Sequence, residues 1–487
     1  MAYLALDLGA GSGRAIVGII EDGRILLDEV HRFSNPRVKL GDTLYWDFLS
    51  LFRDIKEGIH QAVKKGYDLQ GLAVDTWGVD FGLIDKKGRL MSNPVCYRDP
   101  RTEGMEDKAM SRISKEKLYA ITGIQQMDIN SVFQLLSLEN EEDLTLLVAD
   151  KLLFMPDLIN YYLTGKIYNE YTIASTSQLL NARTRRWEHD LFDQLQLPSH
   201  LVSDIIQPCS PIGKLKRELM EETGASEISV FAVGSHDTAS AIAAIPFDGE
   251  EWAFLSSGTW SLLGIQSEEP ILTTEAMGND FTNEGGVDNK ILFMRNITGL
   301  WLLQQLIAEW EKGDKECSYD CLLSQCSGSE PFRSVVNPDD PLFSHPASMS
   351  KAIQEYCKKT NQPLPQTTGE FVRCILESLV LKYHFVMKKL EACSGRNIRH
   401  LAVVGGGSQN EILNQCIADA LNVEVVVGLT EATAIGNILQ QAVADKTIAN
   451  LKDGHLIVKN SFNFRSYYPE NNLEWRAFAS KMEHVFK

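Results

Sequence analysis

Three glycines fall within five residues near the start of the chain, in DLGAGSGR (7–14). The run that follows, Ala15 to Ile20, is apolar and rich in β-branched residues, and Asp22-Gly23 separates it from a second extended run. Asp-Gly between two such runs predicts a β-hairpin rather than a helix. The order strand, glycine loop, strand argues against a dinucleotide-binding fold, whose glycine loop leads into a helix. A purely structural hairpin turn remains the alternative for this loop.

Strands and helices alternate along the rest of the chain. Apolar residues at helical spacing predict a helix over 46–63, and residues 69–85 are typical of two apolar strands joined by a turn that contains glycine. Residues 228–245 and 399–421 both follow the order strand, glycine, helix. This alternation predicts the α/β fold class.

A second hairpin pattern lies about half a chain after the first, in AFLSSGTWSLLGI (253–265). At 487 residues the chain is too long for one hydrophobic core, so two domains are expected. The turn-forming stretch Pro246 to Gly249 is a natural break. We therefore predict domains over 1–246 and 247–450, followed by a C-terminal extension, 451–487, with no assigned role.

Charge and cysteine content limit the function classes. The net charge of −18 argues against nucleic-acid or anionic-membrane partners, because both require basic surfaces. The nine cysteines are scattered, which is typical of a reduced cytoplasmic protein. Cys317, Cys321 and Cys326 match no common zinc spacing, so no metal site is predicted there. Whether Cys357 and Cys374 pair is left open.

Several motifs, taken together and in order, resemble the L-rhamnulose kinases of the FGGY family of sugar kinases. The resemblance implies two actin-like (ribonuclease H-like) domains with a cleft between them, a small-molecule ketose substrate, ATP and Mg. The family usually has Ala-Ser-Ser-Gly-Arg in its first loop, where this chain has Gly11 at the second position. The matching stretches are DLGAGSGR (7–14), DTWGVDFGLID (75–85), YRDPRT (97–102), SHDTASA (235–241), LSSGTWSLLG (255–264), NEGG (283–286), NITGLWLLQ (296–304), GGGSQN (405–410) and EATAIGNI (431–438).

The resemblance assigns the catalytic base to Asp237, at the start of a predicted helix. A helix N-terminus favours an ionised carboxylate, which can accept the proton of the attacking hydroxyl. An N-cap is the alternative role for this aspartate. The implied sugar contacts are Gly78, His236, Asp237, Thr238 and Asn296, although His236 could be purely structural and Asn296 could cap a helix predicted over 297–310.

The implied ATP contacts are divided between the two halves of the chain. They are Ala10, Gly11, Ser12, Gly13 and Arg14 in the first loop, and Thr259, Gln304 and Gly406 in the second half. Asp7 is a candidate to hold magnesium through water, so no direct metal ligand is assigned. Because the implied site is split in this way, closure of the cleft on the sugar is expected.

Other functions remain open on the residues alone. Kinases for related ketoses, such as L-fuculose or D-xylulose, are the near alternatives, because motif spacing does not distinguish epimers. An actin-like ATPase switch without a sugar substrate is a more distant one. A nicotinamide dehydrogenase is disfavoured by the hairpin that follows Gly13.

Overall fold

The predicted N-terminal hairpin is present in the computed structural model, which describes residues 1–140, 144–311, 318–344 and 346–486. Strands β1 (Ala2–Leu8) and β2 (Ser12–Glu21) pair antiparallel, and β3 (Arg24–Ser34) returns beside β2. Asp22 and Gly23 have φ of 49° and 70°. This left-handed backbone at two successive turn residues matches the twist of the flanking strands. The prediction of strand, glycine loop and strand is confirmed.

The other elements of the first half of the chain alternate as expected for an α/β protein. In chain order they are β4 (Arg37–Leu40), β5 (Thr43–Trp46), α1 (Phe48–Lys64), β6 (Leu69–Thr76), β7 (Phe81–Ile84), α2 (Met105–Met110), α3 (Lys115–Thr122), α4 (Ser131–Asn140), α5 (Thr145–Val148), β8 (Lys151–Phe154), α6 (Met155–Thr164), β9 (Asn169–Glu170), α7 (Tyr171–Ser175), β10 (Leu180–Asn181), β11 (Arg186–Trp187), α8 (His189–Leu195), β12 (Ile205–Ile206), β13 (Ser210–Lys214), α9 (Arg217–Thr223), β14 (Ser229–Ala232) and α10 (Asp237–Ala243).

The second half continues the alternation. Its elements are β15 (Trp252–Ser257), β16 (Trp260–Ser267), α11 (Thr274–Gly278), β17 (Thr282–Gly285), β18 (Ile291–Thr298), α12 (Trp301–Glu311), α13 (Tyr319–Ser327), α14 (Met349–Lys359), α15 (Thr368–Ser394), β19 (His400–Val404), α16 (Glu411–Leu421), β20 (Glu424–Leu429), α17 (Ala432–Ala444), α18 (Leu451–Ser461), β21 (Arg465–Tyr467) and α19 (Asn472–Met482).

The first compact unit is built on a six-stranded sheet with the order β13-β14-β6-β1-β2-β3. Strands β14, β6 and β1 run parallel at its centre. Helix α1 buries Ile55 and Ile59 in one core cluster with Leu4 and Leu6 of β1. Helix α17 also packs against β1 and β6, beside Gly18 of β2, where an added Cβ would lie 2.4 Å from Ile438. The central strands are therefore buried between helices, which explains their continuous apolar sequence.

The second compact unit repeats the hairpin layout. Strands β15 and β16 pair antiparallel as predicted, and the strand order continues β18-β16-β15-β19-β20-β21. Strands β15, β19 and β20 run parallel. Its longest helix, α15, begins at a capping box in which Thr367 and Glu370 satisfy each other's backbone N–H groups. The shared strand pattern accounts for the repeat seen in the sequence.

The compact units do not follow the predicted domain ranges throughout. The first consists of residues 1–246, 266–293 and 431–462, and the second of 247–265, 294–430 and 463–487. The predicted break after residue 246 coincides with a boundary. Helix α17 belongs to the first unit because it packs against α10, β1 and β6. The predicted extension is shared, since α18 lies in the first unit and α19 in the second.

Two further features of the structure concern membranes and thiols. Within the described ranges, none of the helices combines the length and the apolar character needed to cross a membrane. Eight of the cysteines are described, and all eight are free, including Cys357 and Cys374. Cys317 lies outside the described residues.

Candidate active site

Three carboxylates lie at the carboxyl ends of the central strands of the first unit. Asp7 of β1 lies beside Asp75 of β6 in the parallel register, and Asp237 begins the helix that follows β14. Burial raises the pKa of Asp75 well above its usual value, and the charges of Asp7 and Asp237 raise it further. Burial also raises the pKa of Asp7, against the opposing charge of Arg14. Three carboxyl groups are therefore concentrated at this edge of the sheet, and burial there favours the protonated forms of Asp7 and Asp75.

Asp237 is the first residue of α10, and the N-cap position is occupied by His236. The alternative role of Asp237 as an N-cap is therefore not what the structure shows. Its Oδ1 accepts hydrogen bonds from the Thr238 backbone N–H at 2.6 Å and from Thr238 Oγ1 at 3.2 Å. The side chain keeps 33% exposure. Burial raises the pKa of Asp237, while His236 opposes that rise. Its carboxylate is thus oriented by α10 and reachable from outside.

His236 lies between two carboxylates. Its Nδ1 is 3.1 Å from Glu284 Oε2 of β17, and its Nε2 is 3.5 Å from Asp237 Oδ1. Burial lowers the pKa of His236, but contact with Glu284 and the charges of Glu284 and Asp237 outweigh this effect, so the net pKa is raised. The imidazole therefore interacts with a carboxylate at each ring nitrogen and does not serve core packing alone.

The first glycine loop is closed by ion pairs. Arg14 donates from Nη2 to Asp7 and from Nη1 to Glu431, which precedes α17. Gly13 is buried, and an added Cβ would lie 2.3 Å from the Phe33 ring. At Gly11, by contrast, an added Cβ would meet nothing within 4 Å. The third glycine is thus required by packing, and the second, where the chain departs from the family, is not.

The other residues of this loop are accessible. Ala10 is half-buried, and Gly11 and Ser12 are exposed. The loop is fixed from behind, because Asn35 donates from its backbone N–H to Gly11 O and from Nδ2 to Gly9 O. The loop is therefore fixed in position and carries only small side chains at Ala10, Gly11 and Ser12, which leaves room for a phosphate to approach its backbone.

Asp75 is held by helix α17. Asn437 donates from Nδ2 to Asp75 Oδ2 at 2.6 Å and accepts from Gln441 Nε2 at 2.7 Å. Gln441 Nε2 also donates to Leu4 O at 3.0 Å. This chain of amides connects α17 to both β1 and β6.

Gly78 lies in a strained turn between β6 and β7. An added Cβ would lie 3.4 Å from Thr176 and 3.5 Å from His236 Nε2, so the backbone here is close to the imidazole. The next residue, Val79, has φ of 66°, which is rare for a β-branched side chain. Its N–H donates to Thr176 Oγ1 at 3.1 Å, and its carbonyl accepts from Ser131 Oγ at 2.5 Å. Backbone held in this way is common at binding sites.

The short helix α7 connects these parts. Glu170, at its N-cap, accepts from the N–H groups of Thr172 and Ser235 at 2.9 and 3.2 Å. Thr172 Oγ1 accepts from the His236 N–H at 3.2 Å, and Ser175 Oγ accepts from the Gly285 N–H at 2.7 Å. One helix turn thus holds the backbone of both His236 and the strand that carries Glu284.

Asp80 and Trp77 belong to the core beneath this turn. Asp80 is fully buried and accepts from the indole N–H groups of Trp46 and Trp77 at 2.6 and 2.9 Å. Gln134 Nε2 and the Tyr97 backbone N–H complete the set at 3.0 and 3.2 Å. Burial raises the pKa of Asp80 to about 6, although these four hydrogen-bond donors oppose the rise.

The predicted nucleotide residues of the second unit lie at two turns. Thr259, at the tip between β15 and β16, donates from Oγ1 to Gln304 Oε1 of α12 at 3.1 Å. At the turn after β19, Cβ atoms added to Gly405 and Gly407 would lie 2.8 and 2.0 Å from Ser257. Gly406 between them is exposed, with nothing within 4 Å of an added Cβ. The two turns are therefore in direct contact with each other through Ser257.

Asn296 differs from its predicted setting. It lies on strand β18, and the following helix begins at Trp301 rather than at residue 297. The capping role considered for it is therefore wrong. The chain turns between the two elements at Gly299, where an added Cβ would lie 2.6 Å from Gly258 O.

The structure thus brings together some predicted residues and adds others. Gly78, His236, Asp237, Thr238 and the loop of Ala10 to Arg14 all belong to the first unit, whereas Thr259, Gln304, Gly406 and Asn296 belong to the second. Glu284, Glu431 and Asn437 lie in motifs of the family resemblance, which assigns these three residues no role. Helix α7 was not predicted, because residues 171–175 carry no glycine, charge or spacing signal. Among the described residues, no cluster of three or more His, Cys, Asp or Glu side chains forms a metal site.

Family models match nearly the whole chain. The N-terminal domain of the FGGY family of carbohydrate kinases matches residues 2–244, and the C-terminal domain of that family matches 253–444. The chain is 44% identical to a rhamnulokinase of Bacteroides thetaiotaomicron over 98% of its length and 97% of the relative. It is 42% identical to a rhamnulokinase of Oceanobacillus iheyensis over 95% and 97% of the two chains.

Solved structures show the same fold at much lower identity. A gluconate kinase from Lactobacillus acidophilus superposes with a TM-score of 0.81 at 15% identity, covering 100% of this chain and 96% of that one. Plasmodium falciparum glycerol kinase with ADP gives 0.79 at 16% identity, with 99% and 97% covered. The predicted α/β class with two actin-like, ribonuclease H-like domains is confirmed. The chain belongs to the FGGY family of carbohydrate kinases and is an enzyme that phosphorylates a sugar.

Proposed function

We propose that this enzyme transfers the terminal phosphoryl group of ATP to the first-carbon hydroxyl of L-rhamnulose, giving L-rhamnulose 1-phosphate in L-rhamnose catabolism. The observation that carries the proposal is Asp237, an accessible carboxylate at the start of α10. The substrate is inferred from the relatives that are named rhamnulokinases. We place the reaction in the cytoplasm, in keeping with the free thiols of the eight described cysteines.

Asp237 is the proposed general base. Thr238 orients its Oδ1 through two hydrogen bonds, and Oδ2 has no donor among the described residues. The free oxygen can accept the proton of the attacking hydroxyl as the bond to phosphorus forms. Gly78, His236, Thr238 and Asn296 are the proposed sugar contacts. A site that pairs each sugar hydroxyl with a partner rejects epimers, because a misplaced hydroxyl leaves a buried group unpaired.

The nucleotide is proposed to contact both glycine-rich turns. Residues Ala10 to Ser12 are accessible in the first unit, and Thr259, Gln304 and Gly406 are accessible in the second. Arg14 was expected to contact ATP, but its guanidinium is already paired with Asp7 and Glu431. We infer that Arg14 shapes the loop and that its contribution to ATP binding is indirect.

Magnesium is the proposed metal. The ion is commonly held by one or two carboxylates together with substrate phosphates and water, so a closed protein cage is not needed. Asp7 is the proposed carboxylate, acting through water, since it lies at the loop and its side chain remains 9% exposed. Bound there, the ion would offset phosphate charge during transfer. The residues of this chain would orient it through water rather than ligate it directly.

A panel of ketoses with purified enzyme and ATP tests the proposal. L-Rhamnulose should give the highest kcat/KM, and the product should carry phosphate on the first carbon by NMR. L-Fuculose and D-xylulose serve as the competing substrates. A higher kcat/KM for either would reassign the substrate within the family. If ATP were hydrolysed without any ketose as fast as a ketose is phosphorylated, the result would instead support an ATPase switch.

A further inference from the structure

Glu284, His236 and Asp237 form a continuous line of charged groups. The Glu284 and His236 side chains are only 7% and 11% exposed. Glu284 Oε2 and His236 Nδ1 lie 3.1 Å apart, and both atoms are buried without a hydrogen-bond partner among the described residues. The opposite ring nitrogen, Nε2, is 3.5 Å from Asp237 Oδ1. An imidazole flanked by two carboxylates in this way is favoured in its doubly protonated form, because each ring N–H then faces a negative charge.

The alignment is built by surrounding backbone contacts. Helix α7 holds the His236 N–H through Thr172 Oγ1 and the Gly285 N–H through Ser175 Oγ. Gly285 also packs on Tyr171, since an added Cβ would lie 2.7 Å from its ring. The backbone of His236 and of the strand that carries Glu284 is therefore held in place, and the Glu284 carboxylate is left to orient the imidazole ring.

We propose that Glu284 is a positioning residue of the phosphoryl-transfer reaction: it fixes the His236 ring and holds its positive charge beside Asp237, so that the base remains ionised despite its burial. The inference rests on the proposed role of Asp237 as the base and adds a residue that does not itself touch the sugar hydroxyl or ATP.

The electrostatic balance gives the direction of the effect. Burial raises the pKa of Asp237 and is opposed chiefly by His236, whereas the repulsion from Glu284 is a smaller contribution. His236 itself faces Glu284, Asp237 and Glu170. The charge of Asp237 also raises the pKa of Asp7 and of Asp75 on the neighbouring strands. Removing the charge of Glu284 should lower the pKa of His236, and loss of the imidazolium should then raise the pKa of Asp237.

The test compares Glu284→Gln with wild type across pH, using L-rhamnulose and ATP. The acidic limb of kcat/KM should move to higher pH, with activity below that limb falling about tenfold for each unit of displacement. Glu284→Asp, which keeps the charge, should restore much of the wild-type profile. Glu275→Gln on the exposed surface of α11 is the matched control and should leave the profile unchanged. The KM for ATP should stay the same in all three variants.

A second measurement follows the imidazole directly. NMR titration of His236, assigned by its loss in His236→Asn, should show a lower pKa in Glu284→Gln than in wild type, whatever the activity of the variant. An unchanged His236 pKa, or an unchanged acidic limb with folding intact by melting temperature, would overturn the inference. If the wild-type enzyme phosphorylated no ketose, the proposed function would be wrong, but the effect of Glu284 on the His236 pKa could still be measured by the titration.

Discussion

Single carboxyl groups in the first unit have different chemistry because their surroundings differ. Asp237 keeps contact with solvent and lies beside an imidazole, while Asp80 is sealed among neutral donors. Burial raises the pKa of both. Only Asp237 has an oxygen available to a substrate, so reactivity and stability can be examined separately at these two positions.

Replacing the proposed base should abolish most turnover without preventing nucleotide binding. Asp237→Asn keeps the shape of the side chain but cannot accept the hydroxyl proton. We expect kcat to fall roughly 100- to 10,000-fold. ATP affinity, measured by calorimetry, should change little. Turnover near the wild-type value in this variant would exclude Asp237 as the base.

Asp80 should make stability depend on pH. Burial raises the pKa of Asp80 from 3.8 to about 6. A carboxyl with a higher pKa in the folded state stabilises the fold while protonated, and this contribution is lost as pH rises from about 4 to about 6. Relative to Asp80→Asn, wild type should therefore lose on the order of 3 kcal/mol of unfolding free energy between pH 4 and pH 7.

Denaturant unfolding at several pH values measures this difference. Asp85→Asn is the control, because Arg89 hydrogen bonds lower the pKa of Asp85 to about 2. The contribution of Asp85 to the free energy of unfolding changes only as pH falls below the ordinary pKa range of an aspartate. The difference in unfolding free energy between Asp85→Asn and wild type should therefore be constant between pH 5 and pH 7. A flat difference for Asp80→Asn as well would mean that Asp80 is ionised in the native state throughout.

At the scale of elements, helix α17 is the piece that completes the first unit. It packs on α10, where Gly436 allows the closest approach, since an added Cβ would lie 1.8 Å from Ser240 O. It also carries Asn437, which holds Asp75. The same helix thus serves both packing and the arrangement of the site.

Gly436→Ala should therefore destabilise the protein although alanine favours helices. The steric conflict is with backbone, which has little room to move, so we expect a loss on the order of 1–3 kcal/mol. The control is Gly454→Ala in α18, where an added Cβ would meet only side-chain ends at 3.2 Å or more. Unfolding in guanidinium chloride compares the two. Equal stability of both variants would show that α17 can shift away from α10.

Elements with a strong local signal were predictable from the sequence. The helix predicted over 46–63 is α1, with its N-cap at Asp47, and the strand–glycine–helix pattern predicted over 399–421 is β19 and α16. Asn296 was misplaced because the apolar residues after it suit a strand as well as a helix, and pairing with a sheet decides between them. Helix α7 was missed because its role depends on partners more than 60 residues away.

At the scale of the whole molecule, the chain crosses between its units more than once. Segments 266–293 and 431–462 return to the first unit after the second has begun. A fragment of residues 1–246 would lack α17 and the strand that carries Glu284. The order of residues along the chain is therefore a poor guide to what can fold alone.

We expect the fragment 1–246 to lack a cooperative unfolding transition and fixed aromatic packing, as measured by denaturant unfolding and near-ultraviolet circular dichroism. Co-expression with residues 247–487 is the control and should restore both. A sharp transition for the fragment alone would show that residues 1–246 suffice for a stable core.

The late position of α17 has a consequence for synthesis on the ribosome. The face of the β14-β6-β1 strands that α17 covers cannot be covered until residue 444 has been made. At about 5–20 residues per second, that is roughly 10 to 40 s after residue 246 leaves the ribosomal active site. During this interval the nascent chain exposes an apolar sheet surface. The enzyme should therefore depend on nascent-chain chaperones more than its final stability suggests.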